Sequence, residues 1–167
     1  MMRRQEKEIS DTNEKISIIR KCKVCRIGLA ENNMPYIVPL NYGFRFENNI
    51  LTLFFHSAAT GKKIGIIKNN NNACFEIDCD TGLIQAEKAC NYSFAYKSII
   101  GFGKIIILEN TVEKIDGLNR IMNHQTEKEM VFNYTDDVLE KITVYKLVVE
   151  EFTGKQKEFQ QENISAV

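Results

Sequence analysis

The sequence predicts a mainly β fold, an antiparallel barrel of six to seven strands with two or three peripheral helices. Three observations predict it. Runs rich in β-branched and aromatic residues recur along the chain, at residues 24–29, 50–55 and 94–108 among others. Short polar turns, Glu31-Asn32-Asn33 and Glu47-Asn48-Asn49, join consecutive runs directly. Helical periodicity is confined to a few short stretches, too few for a wound parallel sheet.

The elements follow in order. Residues 1–10 are polar and charged and read as an arm. Asp11 and Glu14 make a capping-box-like start, with Ile16, Ile19 and Cys22 as the apolar stripe of a helix. Residues 24–29 form a strand. Residues 35–40 form a second, with Pro35 at its start and Pro39 near its end. Proline cannot donate to a ladder, so this strand belongs at an edge or beside a ligand. Residues 41–46 continue as strand, and residues 50–55 form the next. Ile64, Ile66 and Ile67 mark a short helix, ended by the Asn69–Asn72 run, since asparagine tolerates the left-handed conformation. Residues 73–78 form a strand; residues 80–92 give no clear pattern. Residues 94–108 make one long strand with a bulge near Gly101 and Gly103. Residues 112–124 form a helix whose face is Ile115, Leu118, Ile121 and Met122, and residues 143–152 the last strand. One domain spans 11–155, and 156–167 is a polar tail.

The 167 residues suit a single domain, which at that size buries about 70% of its unfolded surface without a disulfide or metal staple. The 22 basic and 22 acidic residues cancel, which argues against a nucleic-acid partner. No apolar run reaches the ~18 residues of a membrane span. The N-terminal basic residues precede no apolar segment, so no secretory signal is read there. Five cysteines, an odd number, disfavour a disulfide framework and point to a reducing cytoplasm.

The most informative segment is Phe54-Phe55-His56-Ser57-Ala58-Ala59-Thr60-Gly61-Lys62-Lys63-Ile64. A strand leads through small and hydroxyl residues into a glycine, two lysines and a helix. The free amides and dipole of a helix start favour an anion. The hydroxyls of Ser57 and Thr60 and the charges of Lys62 and Lys63 fit a phosphate. Neither GxxxxGK[ST] nor GxGxxG is present. A solvated lysine pair at an ordinary helix start is the alternative reading.

Three segments together resemble one family. They are Pro35-Tyr36-Ile37-Val38-Pro39-Leu40-Asn41-Tyr42-Gly43, Phe55-His56-Ser57-Ala58 with Gly61-Lys62-Lys63, and Tyr96-Lys97-Ser98-Ile99-Ile100-Gly101-Phe102-Gly103-Lys104. Their order and spacing resemble the pyridoxamine 5′-phosphate oxidase-like flavoproteins, in the nitroimidazole-resistance branch. Met2-Arg3-Arg4 and Ile121-Met122-Asn123-His124 resemble that branch too. The likeness covers most of residues 2–155. It implies a split β-barrel that binds FMN, as a homodimer with sites at the interface. It implies that Ser57, Lys62 and Lys63 hold the FMN phosphate, with Ala58 in the same loop. Val38, Pro39, Leu40 and Asn41 would lie along the isoalloxazine ring, with Tyr96 and Ser98 approaching across the interface. His56 would stand beside the flavin, where an imidazole suits proton delivery. Two departures stand out. The branch often carries a tryptophan in residues 80–92, where this chain has only Tyr92 as an aromatic, and the asparagine run replaces a common Asn-Pro.

The function expected from these readings is an FMN-dependent reductase of a small acceptor such as a nitroaromatic or quinone. The alternative is a non-catalytic binder of FMN or another flat cofactor, haem or deazaflavin. Pyridoxamine phosphate oxidation is disfavoured, because no second basic cluster stands out. His56 on residues alone could be a ring contact, a proton donor or a core residue. His124 could cap or pack its helix end, or touch a substrate or haem. Cys22-x-x-Cys25 falls at a helix end rather than a start, so buried thiols suit it better than redox chemistry, and no zinc set is completed. Cys90 has no role assigned, and Glu127-Lys128-Glu129 reads as solvated surface.

Overall fold

The computed structural model describes residues 4–158. Helix α1 (Thr12–Lys21) is capped by Asp11, whose carboxylate accepts from the Asn13 amide at 2.9 Å. Before it, Glu8–Ile9 form a short strand, β1. Strands β2 (Val24–Glu31) and β3 (Met34–Asn41) turn at Asn32-Asn33; β4 (Gly43–Glu47) and β5 (Ile50–Ala58) turn at Asn48-Asn49. The four asparagines have φ of 49°, 64°, 52° and 62°. Two successive positive φ values define the tight hairpin turn that matches strand twist. Helix α2 (Lys62–Asn69), β6 (Asn72–Ile84), β7 (Ser93–Leu108), α3 (Thr111–Thr126), α4 (Asp136–Glu140) and β8 (Ile142–Lys157) complete the chain.

All strands join one antiparallel sheet in the order β3-β2-β6-β7-β8-β5-β4, with β1 paired to β8. The two end strands, β3 and β4, are consecutive in sequence, with only Tyr42 between them. One residue advances the chain by about 3.8 Å, so the sheet must curl until its ends meet. The result is a barrel split at the Tyr42 corner. That corner is fastened from inside: the fully buried Tyr42 hydroxyl lies 2.5 Å from the Ile19 carbonyl and 3.0 Å from that of Cys22.

The core has two parts. Inside the barrel, Ile27, Leu53, Phe55, Phe75, Ile99 and Leu147 meet the apolar stripes of α1 and α2. Outside it, α3 covers Phe54, Leu108 and Val144 with Leu118 and Ile121. Strand β5 therefore has both faces covered, which is why its apolar run is continuous rather than alternating. Helix α3 approaches β4 so closely that a Cβ on Gly43 would lie 2.3 Å from the Arg120 backbone. The proline-bearing β3 is at the sheet edge, paired only with β2, as its two prolines require.

Several details differ from expectation. An eighth strand exists: Ile9 is 2% exposed and pairs with Gly154, so this part of the polar arm joins the sheet. Strand β5 runs on to Ala58, which puts His56 and Ser57 on the strand rather than in the loop. Strand β6 reaches Ile84 through a register shift between Cys79 and Gly82, where Asp80 takes φ 54°. The asparagine run contains no left-handed residue. Asn70, at φ −145°, instead donates from its side chain to the Ala30 carbonyl and accepts from the Asn72 amide. The bulge in β7 falls between Phe102 and Gly103. Met2 and Arg3 lie outside the described residues.

Candidate functional site

The α2 start leaves its first backbone donors uncapped. Gly61 precedes it at φ 138°, a backbone that L side chains rarely adopt, and no side chain caps the helix. The first intrahelical bond runs from the Gly65 amide to the Gly61 carbonyl, leaving the amides of Lys62, Lys63 and Ile64 free of helical partners. The two lysines diverge. Lys62 reaches β3, its Nζ 4.9 Å from the centre of the Tyr36 ring. Lys63 is half-buried, and desolvation lowers its pKa. Neither is ion-paired among the described residues.

His56 and Ser57 flank this start on opposite faces of β5. His56 shares the outer face with Phe54; desolvation lowers its pKa, and the Lys63 charge lowers it further. Ser57 turns to the inner face with Phe55, half-buried, its hydroxyl donating to the Ala58 carbonyl at 3.1 Å. Ala58 ends the strand and is exposed. The next residues are stapled to β8: the Ala59 amide donates to the Lys141 carbonyl, and the Thr143 hydroxyl to the Ala59 carbonyl.

Along β3 the pleat divides the predicted ring contacts. Val38 and Leu40 pack inward, while Pro39 and Asn41 face out. As an edge strand, β3 presents unpaired backbone donors and acceptors. The Asn41 amide nitrogen is already engaged, donating to the Lys23 carbonyl and the Gln125 side chain, each at 3.1 Å. Tyr96 and Ser98 are elsewhere. Val144 of β8 pairs with His56 and Lys155 of β8 pairs with Ser98, eleven residues further along the strand. At ~3.3 Å per residue that is roughly 36 Å of strand. One chain therefore brings together β3, His56, Ser57, Ala58, Lys62 and Lys63, but not Tyr96 and Ser98.

A second basic region, not anticipated from the sequence, lies where α1, β4 and α3 meet. A cavity of about 680 Å³ is lined by Arg20, Lys23, Phe44, Arg120, His124 and Lys128, among others. Its residues come from stretches about a hundred positions apart, so no local spacing announces it. Most of its charges are already satisfied. Lys23 pairs with Glu127 at 2.9 Å and donates to the His124 carbonyl at 2.6 Å; Arg120 pairs with Asp116 at 2.9 Å; Arg20 lies 5.9 Å from the Phe44 ring centre.

The family model for pyridoxamine 5′-phosphate oxidase matches residues 11–156. The chain belongs to the pyridoxamine 5′-phosphate oxidase family. Among solved structures it is similar to a candidate 5-nitroimidazole antibiotic resistance protein from Bacteroides thetaiotaomicron, at 32% identity over 90% of each chain with a TM-score of 0.75. Two more distant likenesses show the fold alone. They are the flavocytochrome Anf3 from Azotobacter vinelandii (18% identity, 95% of this chain and 72% of that one, TM-score 0.78) and the FAD and haem binding protein from Mycobacterium smegmatis (14%, 91% and 74%, 0.78). No curated protein matches the chain significantly.

Within this oxidase-family barrel the remaining candidates take structural places. His124 sits at the end of α3 with Nδ1 2.7 Å from the Tyr42 carbonyl and Nε2 3.0 Å from that of Arg20, so each ring nitrogen faces a backbone carbonyl. Its ring packs on Tyr42 and Phe44, with centroids 4.6 and 5.3 Å apart. Cys22 and Cys25 are buried, and burial pushes both thiols well above the ordinary range, which leaves them unreactive. Cys90 is exposed in a 3-10 turn, and Tyr92 is exposed beside it. No helix among the described residues is long and apolar enough to cross a membrane.

Proposed function

We propose that this chain is an FMN-binding homodimer of the cytoplasm that passes two electrons from reduced flavin to a small acceptor such as a nitroaromatic or quinone. One observation carries the reading. The uncapped α2 start follows directly on the Ser57 end of β5, its two lysines have no ion-pair partner among the described residues, and Lys62 reaches the edge strand β3. An anion of FMN's kind needs that clamp, and its flat ring needs the adjoining wall. The flavin, when bound, supplies the redox chemistry. The protein's residues supply the rest: amides and lysines hold the phosphate, β3 lines the ring, and His56 stands ready to hold or release a proton.

The dimeric reading accounts for the separation of Tyr96 and Ser98 from the clamp. If both parts serve one site, the second part has to come from another copy. The outer face of β7 carries Ile100, Phe102 and Ile106, which are 45%, 51% and 45% exposed and suited to burial against such a copy.

The alternative, a non-catalytic binder of a flat cofactor, is favoured for haem only at His56, because both nitrogens of His124 face backbone carbonyls. Titration of the purified protein with FMN, followed by visible absorbance and then by reduction and addition of nitroaromatic acceptors, tests the reading. Failure to take up FMN at micromolar concentration sinks it. Uptake without acceptor turnover selects the binding protein.

A further inference from the structure

Tyr145 is fully buried inside the barrel, stacked on Phe55 with ring centres 5.6 Å apart and planes 22° from parallel. Its hydroxyl has no hydrogen-bond partner among the described residues. A buried polar group left unpaired costs stability, and such groups are uncommon enough that each calls for a reason.

The register supplies the reason. Phe55 lies opposite Tyr145 and Ser57 opposite Thr143 on the paired strands β5 and β8. Residues opposite one another share a sheet face, so Ser57 and Tyr145 are diagonal neighbours, a spacing that an aromatic side chain spans. Burial raises the phenol's pKa and the Cys25 thiol adds to the rise, while hydrogen bonding with the Ser57 side chain lowers it; the two hydroxyls are close together but short of a well-formed bond. Ser57 gives its own proton to the Ala58 carbonyl at 3.1 Å.

We infer that Tyr145 is the positioning residue of the anion site. When a phosphate arrives, the Ser57 O–H turns from the Ala58 carbonyl to the anion, and the Ser57 oxygen accepts from Tyr145. The Tyr145 phenol thus holds the Ser57 oxygen while the Ser57 O–H points at the phosphate. The inference rests on the proposed phosphate at the α2 start.

The test compares FMN with riboflavin, which has the same ring and ribityl chain but no phosphate. Dissociation constants for both are measured on the full chain and on Tyr145→Phe, Ser57→Ala and the double variant. Tyr145→Phe is expected to weaken FMN about three- to tenfold and to leave riboflavin unchanged. The FMN effect is expected to vanish in the Ser57→Ala background. The melting temperature of the empty Tyr145→Phe protein is expected to stay level or rise, because an unpaired hydroxyl has gone. Equal losses for both ligands, a full effect without Ser57, no FMN loss, or a lower melting temperature would each overturn the inference. An unmodified protein that binds riboflavin as tightly as FMN overturns the phosphate reading itself, which is a separate failure.

Discussion

Two basic regions of this barrel contrast in what they leave unpaired. At the α1–β4–α3 corner, Lys23, Arg120 and His124 are committed to Glu127, Asp116 and two backbone carbonyls. At the α2 start, Lys62 and Lys63 have no acid partner among the described residues, and three backbone amides stand open beside them. The corner has a cavity of about 680 Å³ and more cations, yet its charges hold the structure together. The α2 start has fewer, and they are available. The proposed anion site rests on uncommitted donors rather than on the number of positive residues or the size of a hollow.

The largest expected effect separates the two regions directly. Replacing Lys62 and Lys63 together by alanine removes two charge-assisted contacts, each worth ~1.5–3 kcal/mol. At about 1.4 kcal/mol per tenfold, FMN affinity should fall by two orders of magnitude or more with the melting temperature nearly unchanged. Unchanged affinity would place the phosphate elsewhere and erase the contrast. His124→Ala is expected to do the reverse. Losing the ring's hydrogen bonding to backbone and the packing on Tyr42 and Phe44 should cost about 2–3 kcal/mol of stability, while the folded fraction binds FMN as before. Chemical denaturation with a parallel FMN titration measures both, and a loss of FMN affinity in His124→Ala would make the corner part of the site.

The contrast also marks what the sequence could show. Local chemistry was legible: the Asn-Asn turns, the edge position forced by Pro35 and Pro39, the bulge in β7, and the strand-to-helix junction with its lysine pair. Each depends on neighbours in the chain. The extension of β5 through His56 and Ser57 was not legible, because its ladder partners are residues 142–144, far downstream. The corner cavity was invisible for the same reason, as was the division of Lys62 toward β3 and Lys63 toward His56. Strand β1 was hidden differently: Ile9 is a lone apolar residue in a charged arm, and only pairing with β8 buries it.

A smaller effect sharpens the clamp itself. Desolvation lowers the Lys63 pKa below that of an ordinary lysine, and a bound anion favours the charged amine, raising it again. Between those two values binding takes up a proton, so FMN affinity should decline as pH rises, starting at lower pH than an ordinary lysine would allow. Lys63→Arg keeps its charge throughout and should flatten that decline. A flat profile in the unmodified protein would remove Lys63 from the clamp.

The smallest effect concerns His56. Its folded pKa lies below the ordinary value of 6.5, through desolvation and the Lys63 charge. Between the lowered value and 6.5 the unfolded chain binds more protons than the folded one, so stability should fall as pH drops through that window and be unaffected above it. The side chain is exposed, so the slope should be shallow. His56→Gln should remove it, and Lys63→Ala should reduce it by removing one of its two causes. FMN should reduce it as well, because a phosphate beside Lys63 offsets the charge that opposes the imidazolium. Melting temperatures at pH 5.5 and 7.5, with and without FMN, measure all of these. A slope that FMN leaves untouched would mean that the anion does not reach the His56 side of the α2 start, and that Lys62 and the β3 edge hold it alone.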